Sequence, residues 1–68
     1  MVMRASYRVI GIIQVHVDGQ WYERPIRSIA RAESAEQAKT QTLLDYEAIE
    51  GVQVRWHRPD YVQCQRRG

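Results

Sequence analysis

The alternation of apolar and polar positions in the first third of the chain predicts a β-hairpin. From residue 7 to residue 17 the side chains alternate between two faces, as strand residues do. One of these faces consists of Tyr7, Val9, Ile13, Val15 and Val17. The next two residues are Asp18-Gly19, which favour a type I′ turn because both of its central residues need positive φ. A second strand is therefore predicted to begin at Trp21.

Pairing the two strands about this turn predicts which residues lie opposite one another. On the core face the pairs are Val15 with Tyr22, Gly11 with Ile26, and Tyr7 with Ala30. On the other face they are His16 with Trp21, Ile12 with Pro25, Ile10 with Arg27, and Arg8 with Ile29. Pro25 has no N–H for a ladder, so the second strand is predicted at a sheet edge with the first in the middle. A close approach of the helix explains Gly11, since glycine otherwise weakens a strand.

A helix is predicted to begin at Ser34, because Ser34-Ala35-Glu36-Gln37 has the pattern of a capping box. Its inward stripe at 100° per residue comprises Ala35, Ala38, Thr42, Tyr46 and Ile49, with Leu43 at the flank. Gly51 is placed to cap the C-terminus. Leu44 falls on the opposite, solvent side of the helix.

After the helix the alternation returns and predicts a third strand. Val52, Val54 and Trp56 are expected to point inward, and Gln53, Arg55 and His57 outward. Strands near 5–17, 21–31 and 52–58 and a helix near 34–49 make an α+β domain, ββαβ. Its three-stranded antiparallel sheet has order 2-1-3, and the helix packs on one face. Residues 1–68 form a single small domain, in which Tyr61-Val62 is a candidate for a short extra strand and residues 65–68 for a frayed tail.

The length and the cysteine content restrict how this domain is stabilised. A chain of 68 residues buries only about 60% of its unfolded surface, so it depends on good packing or on association. Cys64 is the single cysteine, which leaves no intramolecular disulfide. The N-terminus lacks the order of a signal peptide, and the apolar run around residues 9–17 is too short to span a bilayer. We therefore expect a soluble, cytoplasmic protein without a membrane partner.

The net charge of +2 conceals an uneven distribution. The segment from residue 33 to residue 50 is acidic and sets Glu33, Glu36, Asp45, Glu47 and Glu50 against Lys39. The rest of the chain is rich in arginine. Guanidinium groups suit bidentate contacts to phosphate and carboxylate, although a GC-rich genome also raises the arginine content. Both explanations stay open at this point.

Residues that carry out catalysis or bind metals do not form a recognisable pattern. His16, His57 and Cys64 are not at the spacing of zinc ligands. Ser6 and Ser28 lack the context of a nucleophile, and no glycine-rich loop precedes the helix. We expect neither a cofactor nor a metal, and a protein that is not an enzyme.

The sheet face opposite the helix is the candidate binding site. It combines an apolar and aromatic centre with guanidinium groups, a mixture that interfaces favour. Its predicted members are Ile10, Ile12, Trp21, Ile29, Arg8, Arg27, Arg55 and His57. Three occupants are considered, namely the tail 59–68, a second copy in a homodimer, and another macromolecule. The acidic helix offers an alternative site formed by Glu36, Asp45, Glu47 and Glu50.

The layout from Tyr7 to Val54 resembles that of the archaeal LX ribosomal protein family. The likeness rests on Tyr-Arg-Val-Ile-Gly in the first strand, on Ile26-Arg27-Ser28-Ile29-Ala30 in the second, and on Ala32-Glu33-Ser34-Ala35-Glu36-Gln37-Ala38 at the helix start. This resemblance implies an RNA-binding accessory module. Such a module would use Arg8, Arg27, Arg55 and Arg58.

The chain also resembles, in type, the small inhibitor proteins that phages encode, anti-CRISPR proteins in particular. They share its size, a single helix on a small antiparallel sheet, and mixed acidic and basic surfaces. This resemblance implies a non-enzymatic inhibitor or adaptor that docks onto a protein or ribonucleoprotein complex. We prefer it to RNA binding, because the acidic segment 33–50 would repel nucleic acid and attract a cationic groove.

Overall fold

The computed structural model describes residues 3–67. Their elements, in chain order, are β1 (Ala5–Val17), β2 (Gln20–Ala32), α1 (Ala35–Glu50), β3 (Val54–Trp56), a 3₁₀ turn (Pro59–Tyr61) and β4 (Gln63–Arg67). Helix α1 packs on one face of an antiparallel sheet in which β1 lies between β2 and β3. The predicted α+β fold and the 2-1-3 order are confirmed.

The hairpin of β1 and β2 has the predicted turn and register. Asp18 and Gly19 both have positive φ, 51° and 79°, as a type I′ turn requires. Pairing runs without a break from Val17 opposite Gln20 to Ala5 opposite Ala32. Because the turn sets the register, each side chain of the hairpin has its sheet face assigned from the turn outward.

The second edge of β1 is shared by two short strands. Strand β3 pairs with Ile13–Val15, and β4 pairs with Ser6–Ile10. Between them the backbone N–H of His57 donates to the carbonyl of Ile12 at 2.8 Å. The third strand is therefore shorter than the predicted 52–58.

The last ten residues differ from the prediction. The extra strand is β4, whereas Tyr61 lies in the 3₁₀ turn and the Val62 N–H donates to the Pro59 carbonyl. The prediction of a frayed tail is wrong for residues 65–67, because they pair with β1. Residue 68 lies outside the described residues. The weak alternation of Gln63–Arg67 hid this strand, since Cys64 is its one partly buried residue.

The caps of α1 follow the predicted motif closely. The Ser34 hydroxyl accepts from the Gln37 N–H at 3.1 Å. The Gln37 side chain reaches back one residue further than in a capping box and accepts from the Glu33 N–H at 2.6 Å. At the other end Gly51 has φ 70° and donates to the Glu47 carbonyl at 2.8 Å.

Two small clusters form the core beneath α1. The first comprises Tyr7, Val9, Ala30, Ala32 and Ala38. The second comprises Ile13, Val15, Ile26 and Val54. Trp56 packs against both clusters and joins them. Thr42 is fully buried, and its hydroxyl is satisfied by donating to the Ala38 carbonyl at 2.8 Å.

Three residues predicted for the core are exposed. Val17 and Tyr22 flank the hairpin turn, and Ile49 lies in the last turn of α1, where it is 74% exposed. For Val17 and Tyr22 the reason is length, because 13 strand residues rise about 44 Å whereas 16 helical residues rise about 24 Å. The helix therefore leaves the hairpin tip uncovered. Its last turn contacts the sheet through an ion pair of Glu50 with Arg24.

Gly11 is needed for a close approach, but not of the helix as predicted. A Cβ atom added there would lie 3.0 Å from Cζ3 of Trp56 and 3.3 Å from Cγ2 of Val62. The Trp56 indole thus lies against the backbone of β1 at this point. Because glycine has no side chain, position 11 leaves the space that this ring of β3 occupies.

Candidate binding face

The register of the sheet places seven of the eight predicted binding residues on the side away from α1, and His57 reaches the same side, where its Nε2 lies 3.0 Å from Oε1 of Glu23. We call this side the open face. β1 contributes Arg8, Ile10 and Ile12, β2 contributes Trp21, Arg27 and Ile29, and β3 with the residue after it contributes Arg55 and His57. The hairpin prediction was sufficient to bring the first six together, because directly paired residues share a face.

The centre of the open face is apolar and accessible. Ile12 and Ile29 are 41% and 48% exposed, and Ile10 between them is half-buried. Strand β4 does not lie over them, because it pairs with β1 at the edge of the sheet. The described part of the tail, residues 59–67, therefore leaves Ile12 and Ile29 exposed.

One end of the open face is held by a stack of three side chains. The guanidinium carbon of Arg55 lies 3.8 Å from the centre of the Trp21 ring. The His16 ring lies against the same indole, with centroids 4.8 Å apart and tilted by 38°. Arg55 also donates from Nε to Oε1 of Gln14 at 2.8 Å. Trp21 and Arg55 are therefore engaged with each other, which reduces what either offers to a partner.

A groove lies beside the apolar centre. His57 Nε2 and Glu23 Oε1, 3.0 Å apart, stand at one side of it. Its volume is about 350 Å³, and its lining includes Ile12, Arg58 and Tyr61. Tyr61 is 71% exposed and has the Arg58 guanidinium 5.6 Å from its ring centre. The groove thus offers the Tyr61 ring, the Ile12 side chain and the Arg58 cation, with the His57–Glu23 pair at one side.

Two arginines of the open face were not singled out from the sequence. Arg31 and Arg67 lie on opposite sides of Ser6, in β2 and β4 respectively. Continuing the alternation from Arg27 would have identified Arg31. Arg67 had no such signal, because its segment was predicted to be frayed.

Charge is separated between the two layers of the molecule. In the described part of the chain, Glu23 is the one acidic side chain of the open-face positions on the four strands. The four acidic residues of the alternative site lie on α1, in the other layer, and several are already engaged. Glu36 pairs with Lys39 at 3.2 Å, Glu50 pairs with Arg24, and Asp45 accepts from Gln41 at 2.9 Å. Of the two predicted sites, the open face is therefore the one whose charged side chains have fewer partners of opposite charge.

The remaining chemistry is sparse. Residues 3–67 hold no group of three or more His, Cys, Asp or Glu side chains placed to share a metal ion. Cys64 is partly buried, with Sγ 3.6 Å from the Ala35 carbonyl, and burial raises the pKa of its thiol. In the same residues, no helix is both long and apolar enough to cross a membrane.

Comparison of the chain with protein-family models, with curated proteins and with solved structures finds no match.

Proposed function

We propose that this protein is a non-enzymatic binding module that docks through its open face. The partner is an anionic surface of a nucleic-acid-handling complex, on which the protein acts as an inhibitor or adaptor in the cytoplasm. The observation that carries the proposal is the composition of that face. It has accessible isoleucines at its centre, arginines around them, and the acidic helix in the opposite layer.

The energetics of the open face favour a macromolecular partner. A large aliphatic side chain contributes about 1.5–3 kcal/mol when it is fully buried, so Ile12 and Ile29 gain from being covered. Arginine is the cation most enriched at interfaces and forms bidentate bonds with carboxylate or phosphate. An apolar centre with an arginine rim thus selects a surface that is partly apolar and negatively charged.

The same charges disfavour a symmetric homodimer through the open face. Placing two copies face to face would bring Arg8 and Arg27 of each copy close to the arginines of the other. Like charges at an interface cost free energy, because they are desolvated without a counter-ion. The proposed partner is therefore a different molecule.

The test is a pull-down from the native host with three baits, namely the wild-type protein, Ile12→Asp and Leu44→Asp. The two substitutions are matched, since each adds one carboxylate at an exposed apolar residue and they lie on opposite layers. We expect one protein complex to be recovered by the wild type and Leu44→Asp, with and without nuclease, and lost by Ile12→Asp. Circular dichroism of all three baits checks the fold. Equal recovery by the two variants, or no nuclease-resistant partner, would refute the proposal.

One observation favours a second candidate, an RNA-binding accessory module. The acidic residues of α1 lie behind the sheet, so RNA on the open face would not meet them directly. Exposed charges are screened over about 8 Å at physiological salt, which weakens their repulsion across a layer. This arrangement removes the main electrostatic objection to RNA. Recovery of RNA alone in the same pull-down, lost on nuclease treatment, would support this candidate.

A further inference from the structure

Arg8 lies at the centre of a cluster of four arginines on the open face. Its direct neighbours across the sheet are Ile29 in β2 and Gln65 in β4. Two residues further along these strands, diagonal to Arg8, are Arg27, Arg31 and Arg67. Diagonal neighbours in a sheet are about 7–8 Å apart, within reach of one another for side chains of this length. We call these four residues the arginine cluster.

No salt bridge within residues 3–67 neutralises this cluster. The ion pairs there are Arg24 with Glu50, Lys39 with Glu36, and His57 with Glu23. Like charges on neighbouring strands repel one another and are destabilising. Anions that bind to the cluster offset this repulsion and so lower its free energy. Ser6, Gln63 and Gln65 lie among the four arginines and add neutral hydrogen-bonding groups. The site therefore suits a ligand that carries several anionic groups whose oxygen atoms accept hydrogen bonds.

We propose that the arginine cluster binds the phosphate backbone of single-stranded nucleic acid, and that the groove beside Ile12 receives one of its bases. This inference rests on docking through the open face, and it deepens the second candidate above by naming single-stranded nucleic acid as the anionic partner. The groove begins four residues along β1 from Arg8, about 13 Å away. A nucleic-acid strand whose phosphates are bound at the cluster and that runs along β1 thus reaches the groove within a few nucleotides.

The lining of the groove favours an unpaired base. The exposed Tyr61 ring provides a surface on which a base stacks, and Ile12 provides an apolar floor. Arg58 stands beside Tyr61 and can contact the adjoining phosphate. Bases in a duplex are already stacked and paired, so only a single strand can use both features. An acidic protein surface would satisfy the arginines but would leave Tyr61 and the groove without a role.

The cluster has a matched control on the other side of the sheet. Arg67 and Arg66 are adjacent in β4, and their side chains point to opposite faces. Arg24 lies opposite Ile13 on the helix side and pairs with Glu50. The double variants Arg8→Gln/Arg67→Gln and Arg24→Gln/Arg66→Gln therefore have the same net charge. They differ in the layer from which that charge is removed.

The experiment measures binding of fluorescently labelled oligo(U) and oligo(dT) by anisotropy between 50 and 300 mM salt. We expect Arg8→Gln/Arg67→Gln to weaken binding at least tenfold and to reduce the slope of log affinity against log salt by about 1.4, the value for two lost phosphate contacts on a single strand. The control double variant should stay within about twofold of the wild type. Tyr61→Ala should weaken binding to the single strands and leave duplex binding unchanged.

Equal losses in the two double variants would overturn the inference, because binding would then follow net charge alone. Tighter binding of polyglutamate than of the oligonucleotides would overturn it in favour of an acidic protein. Absence of oligonucleotide binding together with a nuclease-resistant complex in the pull-down would refute this inference and leave the proposed docking intact. Loss of both would refute both.

Discussion

The guanidinium group of Arg55 stacks on the indole of Trp21 across the central strand of the sheet. Its carbon lies 3.8 Å from the ring centre, although Arg55 is in β3 and Trp21 in β2, on either side of β1. The bond from Arg55 to Gln14 of β1 holds the guanidinium group above that strand. The stack therefore links three strands on the open face, where no helix covers them.

We expect the Arg55–Trp21 stack to contribute about 0.5–1 kcal/mol to the free energy of unfolding, as cation–π contacts at exposed sites do. A double-mutant cycle of Arg55→Ala and Trp21→Ala, followed by urea denaturation, measures this coupling. Arg55→Lys serves as a control, because it keeps the charge but loses the planar group. A coupling energy indistinguishable from zero would show that the stack does not stabilise the fold.

Replacing Gly11 by Ala should destabilise the protein by about 1–3 kcal/mol, because the added methyl group would meet the Trp56 ring. The free energy of unfolding in urea measures the loss. In a Trp56→Leu background the same substitution should cost clearly less, since the indole is no longer there. An equal cost in both backgrounds would assign the effect to the backbone of β1.

Removing the N-cap of α1 by Ser34→Ala should lower the free energy of unfolding by about 1 kcal/mol. Ser34→Asp is the control, because its carboxylate also accepts from the Gln37 N–H and is favoured at a helix N-terminus. Thermal and urea melts compare the three proteins. Destabilisation of the aspartate variant to the same degree would contradict a capping role.

We expect the protein to lose stability at alkaline pH because of the Cys64 thiol. Burial raises its pKa in the folded state, Lys39 opposes this shift, and Glu36 adds to it. Folding therefore favours the neutral thiol. The contribution is fully present below the unfolded pKa and is lost as pH rises above about 9 through the folded pKa. The free energy of unfolding of the wild type should fall more steeply between pH 8 and pH 10.5 than that of Cys64→Ser, and parallel curves would contradict this.

Local signals in the chain were sufficient for the hairpin and the helix. Asp18-Gly19 favours one turn type, and that turn sets the register of every pair from Val17 to Ala5. The Ser34 and Gly51 caps likewise act within one helical turn of their own positions. These features are encoded by neighbours in sequence, so periodicity and turn chemistry were enough to predict them. The same pattern brought six of the eight predicted binding residues together on the open face.

Tertiary structure alone decided which apolar residues are covered and where the last strand lies. Val17 fits its apolar stripe, but its burial depends on the relative lengths of the hairpin and α1, which periodicity does not contain. Strand β4 is polar on its own and forms because β1 offers it an unpaired edge. The arginine cluster follows from that pairing, since Arg67 reaches Arg8 only when residues far apart in sequence become neighbours across the sheet. Long-range pairing is a property of the whole fold, and no local pattern near residue 67 specifies it.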